Sequence, residues 1–237
     1  MPMRFLVQTP VDPDEPFALN ADRAHYLTRV MRHKTGDVVE CFDGNGAVFE
    51  AQLIEVNSRR CTLRVTEQLR VVQPPAIKLH LGISLLKGQA MDRAVQQATE
   101  LGASSIRLLE AKRSNVQLRT QRLDRKMDHW QKIIAGACEQ SGRLFLPKLI
   151  PPASIAQVLA ATEFEIIVLD MHGEPLPGKL PAEERLLLMG PEGGWDATER
   201  QLFVEHKLTH YRLSSGTLRA ETVPSVALAL FSHLQQL

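Results

Sequence analysis

The sequence predicts an α/β domain with a mostly parallel sheet, preceded by a small β-rich domain carrying one helix. Two observations predict the larger domain. From Ile77 onward, strand-like runs alternate with helix-like ones. Residues 165–169 and 186–189 are short and almost continuously apolar, as interior strands of a parallel sheet covered on both faces should be. A third observation predicts the smaller domain: before residue 72 the apolar period is mostly two.

In the front part, Phe49, Ala51 and Leu53 alternate with Glu50 and Gln52, and Leu63 and Val65 flank an opposite-facing Arg64. Asp43-Gly44-Asn45-Gly46 is a turn between strands expected over 38–42 and 47–56. One helix is expected over 21–31, with Asn20 as its N-cap. Together these elements suggest a small barrel with one helix. Gln73-Pro74-Pro75 reads as a linker, since neither proline can donate to a sheet.

In the rear part, alternation over 77–85 predicts a strand. Met91, Ala94, Val95, Ala98 and Leu101 then follow at helical spacing and are stopped by Gly102. A strand over 105–109 precedes a long helix over 120–139, which sets Leu123, Met127, Trp130, Ile134 and Ala137 on one face and basic residues on the other. A final helix beginning near Pro224 turns Val226, Ala227, Leu230, Phe231 and Leu234 inward.

The chain of 237 residues has a formal net charge of +1, but the charge is uneven. Between Arg107 and Lys148 ten Lys and Arg stand against four Asp and Glu, an excess that attracts phosphates. Cys41, Cys61 and Cys138 are odd in number and far apart, which argues against a disulfide framework or structural zinc. With no signal peptide and no apolar run of roughly 20 residues, a cytoplasmic setting and no membrane are expected. No metal ligand set is expected either.

Three segments have the composition of a site. Gly190-Pro191-Glu192-Gly193-Gly194 follows an apolar strand directly, and Asp196 with Glu199 forms a capping box behind it. A glycine loop at the carboxyl end of a parallel strand is where α/β sheets hold ligands. The carboxylate of Glu192 argues against a phosphate there, and neither a dinucleotide fingerprint nor a phosphate-binding loop of the Walker type is present. The second segment runs from Leu213 to Thr222 and presents Arg219 and Glu221 before the last helix, where Thr222 can also act as a cap. The third runs from Ala137 to Arg143, with Gly142 as helix terminator and Cys138 on the apolar side.

In this order and spacing the chain resembles the RsmE family, bacterial 16S ribosomal RNA uridine-N3 methyltransferases of the SPOUT superfamily. The resemblance extends over nearly the whole length. It includes Arg4-Phe5, His25 to Arg32, Gly36-Asp37, Glu100-Leu101-Gly102, Arg113-Ser114, Ala137 to Arg143, and the pair formed by Gly190 to Gly194 and Leu218 to Thr222. It implies a PUA-like RNA-binding barrel over 1–72 and a SPOUT domain with a deep trefoil knot over 76–237. It further implies a homodimer, S-adenosylmethionine as cofactor, and 16S ribosomal RNA of the small subunit as substrate.

Three cofactor loops are implied: Leu169 with Met171, His172 and Gly173 in a turn over 170–174; Met189 with Gly190, Pro191, Glu192, Gly193 and Gly194; and Leu213, Gly216 and Leu218 with Thr222. Gly216 stands where a basic residue is usual. A base must take the N3 proton of uracil, and Glu221 and Glu139 are the candidates. Arg219 and Arg143 are catalytic candidates that would steady the uracil anion or a phosphate. Arg4, Arg29, Arg32, Arg113, Arg119, Arg122, Arg125, Lys126 and Lys132 are the expected RNA contacts. The competing readings are a SPOUT enzyme acting on another RNA and a non-catalytic RNA-binding ribosome-assembly factor.

Overall fold

In the computed structural model the chain is described over residues 4–7, 15–19, 21–57, 60–116, 120–181 and 183–236. The expected cap Asn20 and the basic Arg119 lie outside them. The chain forms two compact units, one of residues 1–74 with 138–146, the other of 75–137 with 147–237.

The front unit holds a five-stranded sheet. Its strands are β1 (Phe5–Leu6), β2 (Phe17–Leu19), β3 (Val38–Phe42), β4 (Ala47–Val56) and β5 (Cys61–Val71), in the order β1-β3-β4-β5-β2. β3 and β4 pair antiparallel across the Asp43 turn, where the Asp43 carboxylate accepts the Asn45 and Ala47 N–H groups at 2.8 and 3.0 Å. Period-two alternation sends Ala51, Leu53, Leu63 and Val65 into one core with Phe5, Leu27 and Cys61, while Gln52 and Arg64 face water.

The expected front helix is only partly α-helical. α1 (Ala21–His25) widens into a π-helical turn, Tyr26–Val30, closed by Met31 N–H to Tyr26 O at 3.0 Å. The Thr28 hydroxyl donates to Ala24 O at 2.8 Å, so a side chain takes up a carbonyl that the ordinary ladder would use. Arg32 then ends the segment at φ 59°.

The rear unit is a six-stranded parallel sheet flanked by helices. Its strands are β6 (Leu79–Ser84), β7 (Ser105–Leu109), β8 (Lys148–Ala153), β9 (Glu165–Pro175), β10 (Arg185–Met189) and β11 (Thr209–Arg212), in the order β11-β9-β10-β6-β7-β8. The helices are α2 (Gln89–Glu100), α3 (Thr120–Ser141, of which residues 138–141 belong to the front unit), α4 (Ile155–Ala161), α5 (Ala197–Glu205) and α6 (Val223–Leu234). Every residue of β10 is buried. Leu186 and Leu188 pack with Ile155, Val158 and Phe203 on the α4 and α5 side. α2 and α6 pack together, and α6 also contacts β6 and β10. Coverage on both faces explains why alternation over 77–85 does not leave β6 half exposed.

Three more expectations need correction. The turn expected over 170–174 is a bulge inside a longer strand. His210 and Tyr211, adjacent on β11, pair with Val168 and Glu174 of β9, so residues 169–173 are skipped in the β11 ladder, although Leu169 still pairs with Met189 of β10. In α6 Leu228 is buried, whereas Val226 and Leu230 are only half-buried. Thr222 occupies the N-cap position, but its hydroxyl makes no capping bond, and Pro224 opens the helix instead.

Candidate active site

β11, β9 and β10 are neighbours in the sheet, so the chain segments at their carboxyl ends meet on one side of it. There they enclose a cavity of about 350 Å³. Leu169, Asp170, Met171 and His172 line it from the β9 bulge. Met189 to Trp195 line it after β10. Leu213, Ser214, Gly216, Thr217 and Leu218 line it after β11, with Ala220 and Val223 before α6. Arg113 and Arg200 supply the guanidinium groups on the wall.

The glycines of the second loop have separate packing reasons. A Cβ at Gly190 would stand 3.2 Å from the Trp195 indole. One at Gly193 would stand 3.2 and 3.3 Å from Arg113 Cβ and O. Gly194 closes a turn through its N–H to Pro191 O at 2.9 Å and has φ +66°, where side chains other than glycine's are strained. Trp195 is buried edge-on against Phe203, with ring centroids 5.1 Å apart, and its indole N–H has no hydrogen-bond partner among the described residues.

Asp196 and Glu199 form the predicted capping box. Buried Glu199 also accepts the Lys112 N–H at 2.9 Å, which fixes the strand exit beside Arg113, whose Nη1 donates to Gly193 O at 3.1 Å. Hydrogen bonds from the hydroxyl and N–H of Thr198 hold the Asp196 carboxyl down at about 2. This folded value lies below the ordinary 3.8, so the stabilisation is complete above 3.8 and is lost as pH falls toward about 2. The first turn of α5 is therefore expected to fray in that window. Asp196→Asn keeps a good cap without the titrating group and should remove the transition from an acid titration followed by amide NMR.

Asp170 is 9% exposed. Its Oδ1 accepts the His172 N–H at 3.0 Å. Its Oδ2 lies 2.7 Å from Arg200 Nη1 as an ion pair, an approach without the alignment of a hydrogen bond. His210 of β11 stands close enough to feel both charges, and burial pushes its pKa down.

Among the cofactor candidates, Gly173 and Thr222 do not line the cavity. Gly173 is buried against the β11 backbone, and Thr222 is exposed with its N–H on Arg219 O at 2.9 Å. Asp170, Ser214, Thr217 and Ala220, which lie inside the expected segments, also line it, as do Trp195, Arg200 and Val223, which were not expected there. Arg200 is one turn beyond the glycine loop on α5, and that proximity was the available signal.

Of the catalytic candidates, Arg219 is exposed and Glu221 half-buried, each beside cavity-lining Ala220. Glu139 belongs to the front unit. There it accepts the Leu6 N–H at 2.9 Å and pairs with Arg23 at 2.7 Å, and burial raises its pKa despite both. Arg143 belongs to the same unit and is half-buried. Cys138 is buried, and its thiol is pushed up to about 11, as fits a core residue and not a nucleophile.

Among the RNA candidates, Arg4 is buried and paired with Glu40. Arg29 and Arg32 are exposed on the front unit, and Arg113, Arg122, Arg125 and Lys132 on the rear one. Lys126 is half-buried, its ammonium 5.9 Å from the Trp130 ring centroid. Among the described residues no group of three or more His, Cys, Asp or Glu could hold a metal ion, and no helix is long and apolar enough to cross a membrane.

The RNA methyltransferase domain family matches residues 73–232, and the RNA methyltransferase PUA domain matches residues 19–66. Ribosomal RNA small subunit methyltransferase E of Synechocystis is 32% identical over 228 residues, covering 91% of this chain and 72% of that protein. The Bacillus subtilis protein of the same name is 28% identical, covering 93% and 91%. A solved methyltransferase from Legionella pneumophila in complex with SAM superposes with a TM-score of 0.87 at 26% identity, covering 98% of both chains. Ribosomal RNA small subunit methyltransferase E from Neisseria gonorrhoeae, bound to S-adenosyl methionine, gives 0.84 at 26% identity over 99% and 98% of the two chains. With a methyltransferase domain behind a PUA domain, and relatives of one name along nearly its whole length, this chain belongs to the RNA methyltransferase family and within it to the ribosomal RNA small subunit methyltransferase E group.

Proposed function

We propose that this protein uses S-adenosylmethionine to methylate the N3 atom of a uridine in the 16S RNA of the small ribosomal subunit. The observation that carries the reading is the convergence of three strand-end loops on one cavity. Its size falls in the range of small-molecule sites, about 300–1,000 Å³. Leu169, Met189, Leu213 and Leu218 offer apolar walls to a flat base, and the glycines of the second loop leave backbone groups within reach. Charged groups of both signs, Asp170 and Arg200, suit a ligand with a charged tail. Solved relatives hold SAM.

The cofactor, when bound, supplies an already activated methyl group. The task of the protein is to place the uracil nitrogen in line and to manage its proton. With the Glu139 carboxylate engaged by Leu6 and Arg23, we assign the N3 proton to Glu221. Arg219 and Arg113 steady the negative charge that spreads over the uracil carbonyl oxygens. The N3 atom lies on the pairing edge of the base, so a paired target has to be exposed first. The exposed Arg122, Arg125 and Lys132 on α3, and Arg29 and Arg32 on the front unit, give salt-dependent contacts to the RNA backbone.

Three structural features go with this reading. The last segment threads a loop as a deep trefoil knot, as the resemblance to the SPOUT enzymes implies. The protein works as a homodimer in the cytoplasm. The front unit helps hold the RNA.

The test is a methylation assay with labelled S-adenosylmethionine on small subunits from a strain lacking the gene, with the modified nucleoside identified by mass spectrometry. A single new N3-methyluridine in 16S RNA is expected. Cofactor binding without incorporation would move the target to another RNA. Absence of both would favour a non-catalytic RNA-binding factor.

A further inference from the structure

The cavity wall carries one ion pair whose two members come from different elements. Asp170 sits in the β9 bulge with its side chain 4% exposed, and Arg200 rises from α5 with its side chain 42% exposed. The other oxygen of the buried member accepts the His172 N–H at 3.0 Å. Burial lowers the pKa of His210, the other basic group near Asp170, against the pull of the Asp170 charge. Arg200 is therefore tethered at Nη1, while its partly exposed side chain lines the cavity.

A guanidinium has five N–H donors and a fork geometry that matches a carboxylate. Contact with Asp170 at Nη1 leaves donors for a second acceptor. The tether also reduces the rotamer freedom that a long side chain loses on binding. The other cation on the wall, Arg113, donates to Gly193 O from another element and is assigned above to the charge on the uracil. Glu192 is exposed and of the wrong sign for an anionic ligand group. Among the described residues lining the cavity, Arg200 is the guanidinium pre-set to receive a carboxylate.

We propose that Arg200, positioned by Asp170, binds the carboxylate of the cofactor's amino-acid tail, so that this pair lets the cavity distinguish an adenosyl amino acid from a tail-less adenosine thioether. The inference rests on the cofactor reading above. It adds which group of the cofactor is recognised, and by which residues.

Calorimetry on the full chain tests it with two ligands, S-adenosylhomocysteine, which has the tail, and 5′-methylthioadenosine, which lacks it. Wild-type protein should bind both, the first more tightly. Arg200→Met should weaken S-adenosylhomocysteine by about tenfold or more, the scale of a charged hydrogen bond, and leave 5′-methylthioadenosine unchanged. Asp170→Asn should shift the same ligand in the same direction by less. Equal weakening of both ligands by Arg200→Met, or of neither, would overturn the assignment. Thermal melts of each variant show whether the fold is intact. Failure of the wild type to bind either ligand would instead sink the cofactor reading itself.

Discussion

Glu221→Gln is expected to lower turnover by about 10²–10⁴-fold, the usual contribution of a general base, while cofactor affinity stays unchanged. The glutamine keeps the shape of the side chain and removes only its ability to take the N3 proton. Glu221 directly follows cavity-lining Ala220 and is half-buried, which places a titratable group beside the cavity wall without building it into that wall. Single-turnover kinetics and calorimetry on the same variant separate the two quantities. A parallel loss of cofactor affinity would reassign the residue to binding. The companion variant Glu139→Ala should behave oppositely. It strips a buried partner from Arg23 and from the Leu6 N–H, at a cost of about 2–4 kcal/mol of stability, and what remains folded should still turn over.

Gly173→Ala should damage stability and site together. The added Cβ would lie 2.7 Å from the carbonyl carbon of Tyr211 and 2.8 Å from the carbonyl carbon and oxygen of His210. All three are backbone atoms, so β11 itself has to move, and no side-chain rotation relieves the clash. The resulting overpacking costs about 1–3 kcal/mol, or a fall in Tm of roughly 2–12 °C for a chain of this size. The same shift disturbs the bulge that carries Leu169, Asp170, Met171 and His172 to the cavity, so cofactor affinity should fall at least about tenfold. Gly178→Ala is the control, because its Cβ would meet nothing within 4 Å. Thermal denaturation and calorimetry on both variants decide the matter. An unchanged Gly173→Ala would mean that the two strands are looser than their pairing implies.

Local chemistry was readable before any coordinates. The Asp43 hairpin, the Asp196–Glu199 capping box, the buried run of β10 and the glycine loop behind it all depend on neighbours within a few residues, so spacing and residue type suffice to predict them. The π-helical widening at Tyr26–Val30 was not readable, because it turns on whether the Thr28 hydroxyl takes the Ala24 carbonyl, and a helical sequence permits either outcome.

Spacing and residue type were enough to mark β3, β4, β6, β7, β10, α2, α3 and the glycine loop behind β10, but not β8 or α4. Only the tertiary structure decided which strand ends are neighbours. β11 pairs outside β9, and that one choice brings the 169–173 bulge and the 213–218 loop to the same cavity as the glycine loop. It also set the partners of the charged groups. Arg200 reached Asp170 on the cavity wall, and Glu139 reached Leu6 and Arg23 in the front unit. The physical reason is common to both cases: a charge buried on folding takes the partner that the packed core leaves nearest in space, and distance along the chain does not encode that choice.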